Sequence, residues 1–541
     1  MVRIPASLTI AAAATALSVM LTLPAPAIAE IVPDPGFGLS GVVRTAFGAS
    51  NLDTPHDLLI QPDGRILTAG VSKIGQDFFI AMSRHSAAGV LDSTTFGSGG
   101  TVLTHFALRD QANGVALDDS GRIVVAGMHA ISNSVAQQVA SLYRFRSDGA
   151  IDSTFADSGY VSSRYDPVSS AEHFGAAVRP DGKVVAAGRC NTNIGGGVNG
   201  FGFKRYLEDG EGDVSTRFDF GITGNRGSCA FLEDGRILWA AWAPLNGRIE
   251  FVMARTDTLG DRDTTFAPGG IRQTGIEATP PTTFSYMALR VLVLPDGKIL
   301  LAGSTPKGGG RHQFSAFRFH ADGILDSTFG VNGRTDVIFT DGTSDLCFDA
   351  AVDADGRIYL AGLASTLGFS KVGLARLQPD GALDPTFSDD GKLVSNLNNS
   401  TGTHYMTRVI ALPNGKILGA GHDFASNGGD FFLVRYMGEA TGIEAPAATP
   451  NPVFAEIFPN PTRGETTFHL RLDHEDVVSV EVFDATGRLV RRVFDGRLAS
   501  GAHALIWDGR DRQGREIAPG VFFSRIANSA GVKTGKLVRV R

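Results

Sequence analysis

Short apolar runs alternate along this chain with a polar phrase built on Pro-Asp-Gly-Lys/Arg, and the pair of runs with its phrase recurs seven times. In the fifth copy, Val291-Leu292-Val293-Leu294 leads into Pro295-Asp296-Gly297-Lys298, and Ile299-Leu300-Leu301-Ala302-Gly303 leads out. Apolar runs of this length bounded by turn formers read as strands; proline presets φ at the first turn position, and glycine takes a left-handed position. Each copy is therefore a β-hairpin. The turn glycines are Gly64, Gly121, Gly182, Gly235, Gly297, Gly356 and Gly415, spaced 57, 61, 53, 62, 59 and 59 residues apart. A fixed period of this size marks a repeat architecture.

The outgoing run is apolar on consecutive residues and ends in Ala-Gly at 69–70, 126–127, 187–188, 302–303, 361–362 and 420–421. A strand apolar on both faces is covered on both, so sheets must stack on sheets, and the small residues admit close backbone approach. The fourth copy reads Trp239-Ala240-Ala241-Trp242 instead, which predicts locally different packing.

A third strand follows, carrying Arg84, Arg144, Arg205, Arg255, Arg318, Arg376 or Arg435. In the first six copies an aspartate stands eight residues on: Asp92, Asp152, Asp213, Asp263, Asp326 and Asp384. The favoured reading is one structural ion pair per repeat across a hairpin; the alternative is a ring of arginines that reads an anionic ligand. A Thr-Phe-Gly-like corner with Phe96, Phe155, Phe218, Phe266, Phe329 or Phe387 and a fourth strand complete the unit. The seventh copy lacks this tail, whereas an orphan tail, Asp34-Pro35-Gly36-Phe37-Gly38, stands before the first copy. Seven heads and seven tails offset by one describe a ring in which the N-terminal strand completes the last sheet, with Asp34 expected to pair with Arg435. The span 34–438 holds 405 residues, about 58 per unit, enough for a four-stranded blade each. The expected fold is all-β, a seven-bladed β-propeller closed by an N-terminal strand, with a solenoid as the structural alternative. The PDGK…AG…R…DG.LD.TFG pattern resembles the delta-60 repeat of secreted bacterial propellers, a family that implies a fold and no shared catalytic motif.

After an Ala/Pro-rich linker (439–455), short strand-like runs at Thr466–Arg471, Val477–Phe483, Leu489–Phe494, His503–Trp507, Val521–Ala527 and Val532–Val540 read as a small β-sandwich over 456–541. Phe458-Pro459-Asn460-Pro461, Asp484-Ala485-Thr486-Gly487-Arg488, Trp507-Asp508-Gly509-Arg510-Asp511 and Ala518-Pro519-Gly520-Val521 resemble the immunoglobulin-like domain shared by the flagellar hook-capping protein and the C-terminal sorting domains of type IX secretion. The resemblance implies a partner in the secretion apparatus, with export to the surface or medium; an accessory module without a sorting role is the plainer reading.

Composition narrows the rest. The hydrophobic fraction of 43% is enough for large cores, and 67 glycines in 541 residues point to many turns. The net charge of -7 makes no electrostatic case for nucleic acid or an anionic membrane. Arg3, an apolar stretch from Leu8 to Leu23 and Ala27-Ile28-Ala29 have the form of a signal peptide over 1–29, which leaves the propeller domain at 30–438; no later apolar run is long enough to span a membrane. Of the three cysteines, Cys190, Cys229 and Cys347, each reads as a small buried residue, with a Cys190–Cys229 bridge as the minor alternative. No metalloprotease, nucleophile-elbow or phosphate-loop motif occurs, so no catalytic residue, metal or cofactor is expected.

Chemistry, if present, belongs where the repeat breaks. His56, Glu172, His173, Tyr286, Asp345, His404 and Tyr405 stand eight to eleven residues before their turn glycines, in segments read as solvated loops entering the first strand. If those loops share a face, these side chains rim the channel mouth and can bind a metal or saccharide. The expectation is a secreted or surface-displayed binding scaffold for an extracellular ligand or protein, with an extracellular polysaccharide- or polymer-active enzyme as the competing class.

Overall fold

The computed structural model describes residues 31–438 and 454–540, except 49–51, 131–137, 157, 166–169, 192–198, 220–226, 246, 279–288, 341–343, 367–368, 398–401, 426–427, 459–461, 463, 473–474, 485–487 and 529–530. The stretch 1–29, read as a signal peptide, and Tyr286 lie outside the described residues, as does nearly all of the linker. The chain divides into two compact units, Met1–Glu439 and Ala440–Arg541.

The first unit is all-β. Its strands form seven four-stranded antiparallel arrays, the first two joined into one sheet by a single parallel bridge between Phe78 and Arg109. The innermost strands are Leu52–Ile60, Arg109–Leu117, Ser170–Val178, Gly227–Phe231, Leu289–Val293, Leu346–Val352 and Thr403–Ala411. Each packs against the inner strand of the next array, and the last packs against the first, which closes the ring. The seventh array takes its outer strand from the N-terminus: Val42–Thr45 pairs antiparallel with Gly428–Tyr436 in the register Val42 to Val434. Second strands are buried along most of their length, as in Ile123–Ala130, so each array is covered on both faces by its neighbours.

The Ala-Gly ending has a specific cause. In five arrays the inner strand carries a one-residue bulge, at His56, Asn113, Phe174, Phe348 and Thr407, each eight residues before the turn glycine. The bulge swings a carbonyl oxygen of the inner strand onto the second strand, where a Cβ on Gly70, Gly127, Gly188, Gly362 or Gly421 would collide with the oxygen of Thr54, Gln111, Glu172, Leu346 or Tyr405. In the fourth array Ala241 stands at that place. There the pairing runs without a shift, Gly227 to Ala241 through Phe231 to Ile237.

The second unit has two antiparallel sheets. One comprises Phe454–Phe458, Thr466–Leu472 and Gly501–Trp507; the other comprises Leu489–Leu498, Asp476–Asp484, Gly520–Asn528 and Gly531–Arg539. Phe468, Leu470, Val478, Val480, Trp507 and Ile526 fill the space between. The first strand begins inside the stretch read as linker, because Phe454-Ala455-Glu456-Ile457-Phe458 is too short a run to show a period beside a Pro-rich segment.

Candidate functional site

The repeated arginines belong to the scaffold. In all seven arrays the arginine Nε lies 2.6 to 2.9 Å from a carboxylate oxygen: Arg84 to Asp92, Arg144 to Asp152, Arg205 to Asp213, Arg255 to Asp263, Arg318 to Asp326, Arg376 to Asp384 and Arg435 to Asp34. Nη1 then donates across the joint to a carbonyl of the following array, on Ser147, Glu208, Thr258, Ala321, Pro379, Gly438 and, across the closure, Ala87. In six arrays the guanidinium also covers the corner phenylalanine, at 4.5 Å for Arg84 over Phe96 and 4.7 Å for Arg435 over Phe37. The basic residue of the turn phrase reaches the same carboxylate from Arg65, Lys183, Arg236, Lys298 and Lys416. Burial works to raise the carboxyls of Asp34, Asp92, Asp152, Asp263, Asp326 and Asp384, but hydrogen bonds from the arginine and from neighbouring hydroxyl, ammonium or amide groups outweigh it and hold all six below the usual range.

The non-repeating candidates are not solvated loop residues. His56, Glu172, His173, His404 and Tyr405 lie within inner strands, Asp345 sits one residue ahead of one, and all six are buried. Their polar atoms are engaged. His56 Nδ1 is 2.7 Å from the Ala112 oxygen, and Glu172 Oε1 is 2.7 Å from Arg189 Nε. His173 Nδ1 is 3.3 Å from the Ser141 oxygen, and its Nε2 is 3.2 Å from the Tyr165 hydroxyl. Asp345 accepts from the Phe339 and Ser365 amides at 3.2 and 3.0 Å, with its carboxyl pushed up by burial. His404 Nδ1 is 2.8 Å from Asp423, which also takes Arg44 Nε at 2.6 Å. Among the described candidates, His56 and Glu172 line a common cavity. Among the described residues no three His, Cys, Asp or Glu side chains are grouped to hold a metal ion.

That cavity lies between the inner strands and has a volume of about 410 Å³. It shares Arg290, Leu292 and Val293 with a second one of about 340 Å³ whose other walls are Pro295 and residues of the sixth and seventh arrays. Besides Glu172, its charged groups Asp57, Arg290 and Arg408 come from one repeat position, seven residues before the turn glycine, which reads Asp57, Gly114, Gly175, Ser228, Arg290, Asp349 and Arg408 around the ring. Arg290 Nε is 3.2 Å from Asp349 Oδ1, and Arg408 Nε is 3.2 Å from Asp57 Oδ1. Residue by residue, this position varies where the scaffold does not. Sequence reasoning stopped one residue short of it; the signal available was the break in type, from three small residues to four charged ones. The thiols are elsewhere engaged or inert: none of Cys190, Cys229 and Cys347 is bridged, and burial pushes the Cys229 thiol, on the cavity wall, up to about 12.

Fold and site together define a β-propeller followed by an immunoglobulin-like sandwich. Residues 119–155, 179–215, 294–329 and 354–387 match the family described as a β-propeller domain of unknown function, DUF5122. Residues 460–530 match the FlgD Ig-like domain. The sequence matches none of the curated proteins. Among solved structures, PorZ, a surface component of the type IX secretion system of Porphyromonas gingivalis, is 14% identical with a TM-score of 0.38; the match covers 92% of this chain but only 61% of the length of PorZ. The polysaccharide lyase Uly1 is 11% identical with a TM-score of 0.42, covering 76% of this chain and 94% of its own. A PL25 ulvan lyase is 14% identical with a TM-score of 0.40, covering 72% and 96%. No helix among the described residues is long and apolar enough to cross a membrane.

Proposed function

We propose that the chain is an exported binding scaffold, in which the propeller holds an extracellular ligand and the C-terminal sandwich serves secretion or surface attachment. The observation that carries this reading is the cavity among the inner strands, which takes Asp57, Arg290 and Arg408 from a repeat position that changes from array to array while the repeated Arg–Asp pairs are spent on the ring. A polysaccharide- or polymer-active enzyme is the second reading, and it draws on His56 and Glu172 in the cavity wall; both already hold protein partners. Residues 30–541 incubated with a panel of glycans and extracellular polymers separate the two: retention without turnover supports the scaffold, and turnover overturns it in favour of the enzyme. Deleting residues 456–541 and fractionating cells tests the sandwich, whose sorting role fails if delivery to the surface or medium is unchanged.

A further inference from the structure

The 410 Å³ cavity is two-sided. The third and fourth arrays line it with Phe174, Ala176, Ala230 and Phe231 beside Glu172, whose carboxylate is held by Arg189 at 2.7 Å, and the fifth, seventh and first arrays contribute Arg290, Arg408 and Asp57. Of the two carboxylates beside these arginines, Asp57 is satisfied at both oxygens, while Asp349, set behind the wall, is satisfied at Oδ2 and faces Arg290 with Oδ1 as an ion pair without a hydrogen bond. Asp57 Oδ2 accepts the Val115 amide at 2.8 Å, while its Oδ1 takes the Leu58 amide at 3.0 Å and Arg408 Nε at 3.2 Å. Asp349 Oδ2 accepts the Val409 amide at 2.8 Å, and Asp349 itself is buried behind Arg290. The arginines are not satisfied. Each turns its Nε to an aspartate, and Arg408 gives Nη1 to the Thr407 oxygen at 3.0 Å. Among the described residues, both Nη atoms of Arg290 and Nη2 of Arg408 have no hydrogen-bond acceptor, and both arginines line the cavity. Asp57 fixes the Nε edge of Arg408 and leaves Nη2 open, and Asp349 holds Arg290 by charge alone with its Nη edge open; both act as positioning groups for an anion.

We infer that the cavity binds an organic carboxylate carrying a compact apolar group, its acid on the Nη edges of Arg290 and Arg408 and its body against Phe174 and Phe231. The inference names the ligand class for the binding-scaffold reading and rests on it. The same chemistry reaches the cavity from two sources, a free hydrophobic acid or the C-terminal carboxylate of a peptide ending in an apolar residue. An ionised acid gains charge-assisted bonds on arginines already desolvated on one side, whereas its amide leaves those donors unmatched and loses at least about tenfold in affinity.

Titration calorimetry on residues 30–541 tests it with millimolar phenylacetate, hexanoate and the tripeptide Ala-Ala-Phe as its free acid, each beside the corresponding amide. The expected result is saturable binding of an acid with at least about tenfold weaker binding of its amide, and a similar loss in Arg408→Gln. Preference for the tripeptide acid assigns the peptide source; preference for the small acids assigns the free-acid source. Equal binding of acid and amide, or no saturable binding of any acid by the unaltered chain, overturns the inference. The acid-to-amide comparison stands on the unaltered chain, so it remains decisive if Arg408→Gln melts early. A chain that stays inside the cell yet binds acids sinks the exported-scaffold reading alone; a surface chain indifferent to acids sinks this inference alone.

Discussion

His173 illustrates what burial on an inner strand does to a titratable group. A carbonyl oxygen cannot donate, so the Ser141 oxygen at 3.3 Å requires a proton on Nδ1, and Nε2 is left to accept from the Tyr165 hydroxyl at 3.2 Å. The ring is neutral, and burial holds its pKa down at about 3. The unfolded chain, with a histidine near its ordinary 6.5, binds more protons below that value. The stabilisation is complete above pH 6.5 and drains away as pH falls from 6.5 toward 3, by up to about 1.4 kcal/mol per pH unit. His85 and His422, each held near 4 by burial, add to the same slope. In urea unfolding at pH 7, 6 and 5, His173→Gln is expected to show a shallower loss of stability than the unaltered chain by about one proton. Parallel slopes would mean that the imidazole is already charged in the fold.

In five arrays glycine and bulge act as one element; the fourth array lacks both, and the fifth keeps Gly303 beside an unshifted pairing. At Gly127 a Cβ would strike the Gln111 carbonyl turned outward by the bulge at Asn113, whereas at the turn glycine Gly297, with φ of 79°, a Cβ meets nothing. Gly127→Ala should therefore cost about 1 to 3 kcal/mol by forcing the bulge to move, and Gly297→Ala about 1 kcal/mol from backbone strain alone. Urea midpoints at constant m-value measure both, and a smaller cost at Gly127 would show that the bulge yields freely. The same coupling marks the limit of sequence reading here. A turn glycine and its flanking runs are local chemistry, so the sevenfold hairpin was visible in the sequence; a +8 spacing spans one hairpin, so the Arg–Asp partners were too. Asp57, Arg290, Asp349 and Arg408 were not, because a single inserted residue reverses the alternation of faces along a strand, and nothing in a run such as Thr54-Pro55-His56-Asp57 announces where that insertion falls. His404 and Tyr405 read as loop residues for a like reason: the inner strand begins at Thr403, well before its apolar run.

At the scale of the whole ring, residues 31–48 hold the two chain ends of the propeller together by three kinds of interaction at once. Val42–Thr45 covers the edge of Gly428–Tyr436; Asp34 takes Arg435 at 2.7 Å and Lys416 at 2.6 Å; Arg44 takes Asp423 at 2.6 Å. Phe37 is buried among Leu58, Ile66, Leu418 and Leu433, drawn from the first and seventh arrays, so it seals the joint rather than one sheet. A chain beginning at residue 49 loses all of this: a strand edge is laid open to pairing with another copy, and two cations lose their shared carboxylate. Removing the Phe37 contacts alone is worth about 3 to 5 kcal/mol. The truncated chain is expected to melt several degrees lower and to self-associate, and a peptide of residues 31–48 added in trans should restore the melting temperature in proportion to its concentration. The same peptide with Asp34→Asn and Phe37→Ala should restore little. Light scattering and thermal melts decide the matter. A truncated chain that melts like the full one as a monomer would mean that the six internal joints hold the ring shut without the seventh, and that the N-terminal strand is covering and not closure.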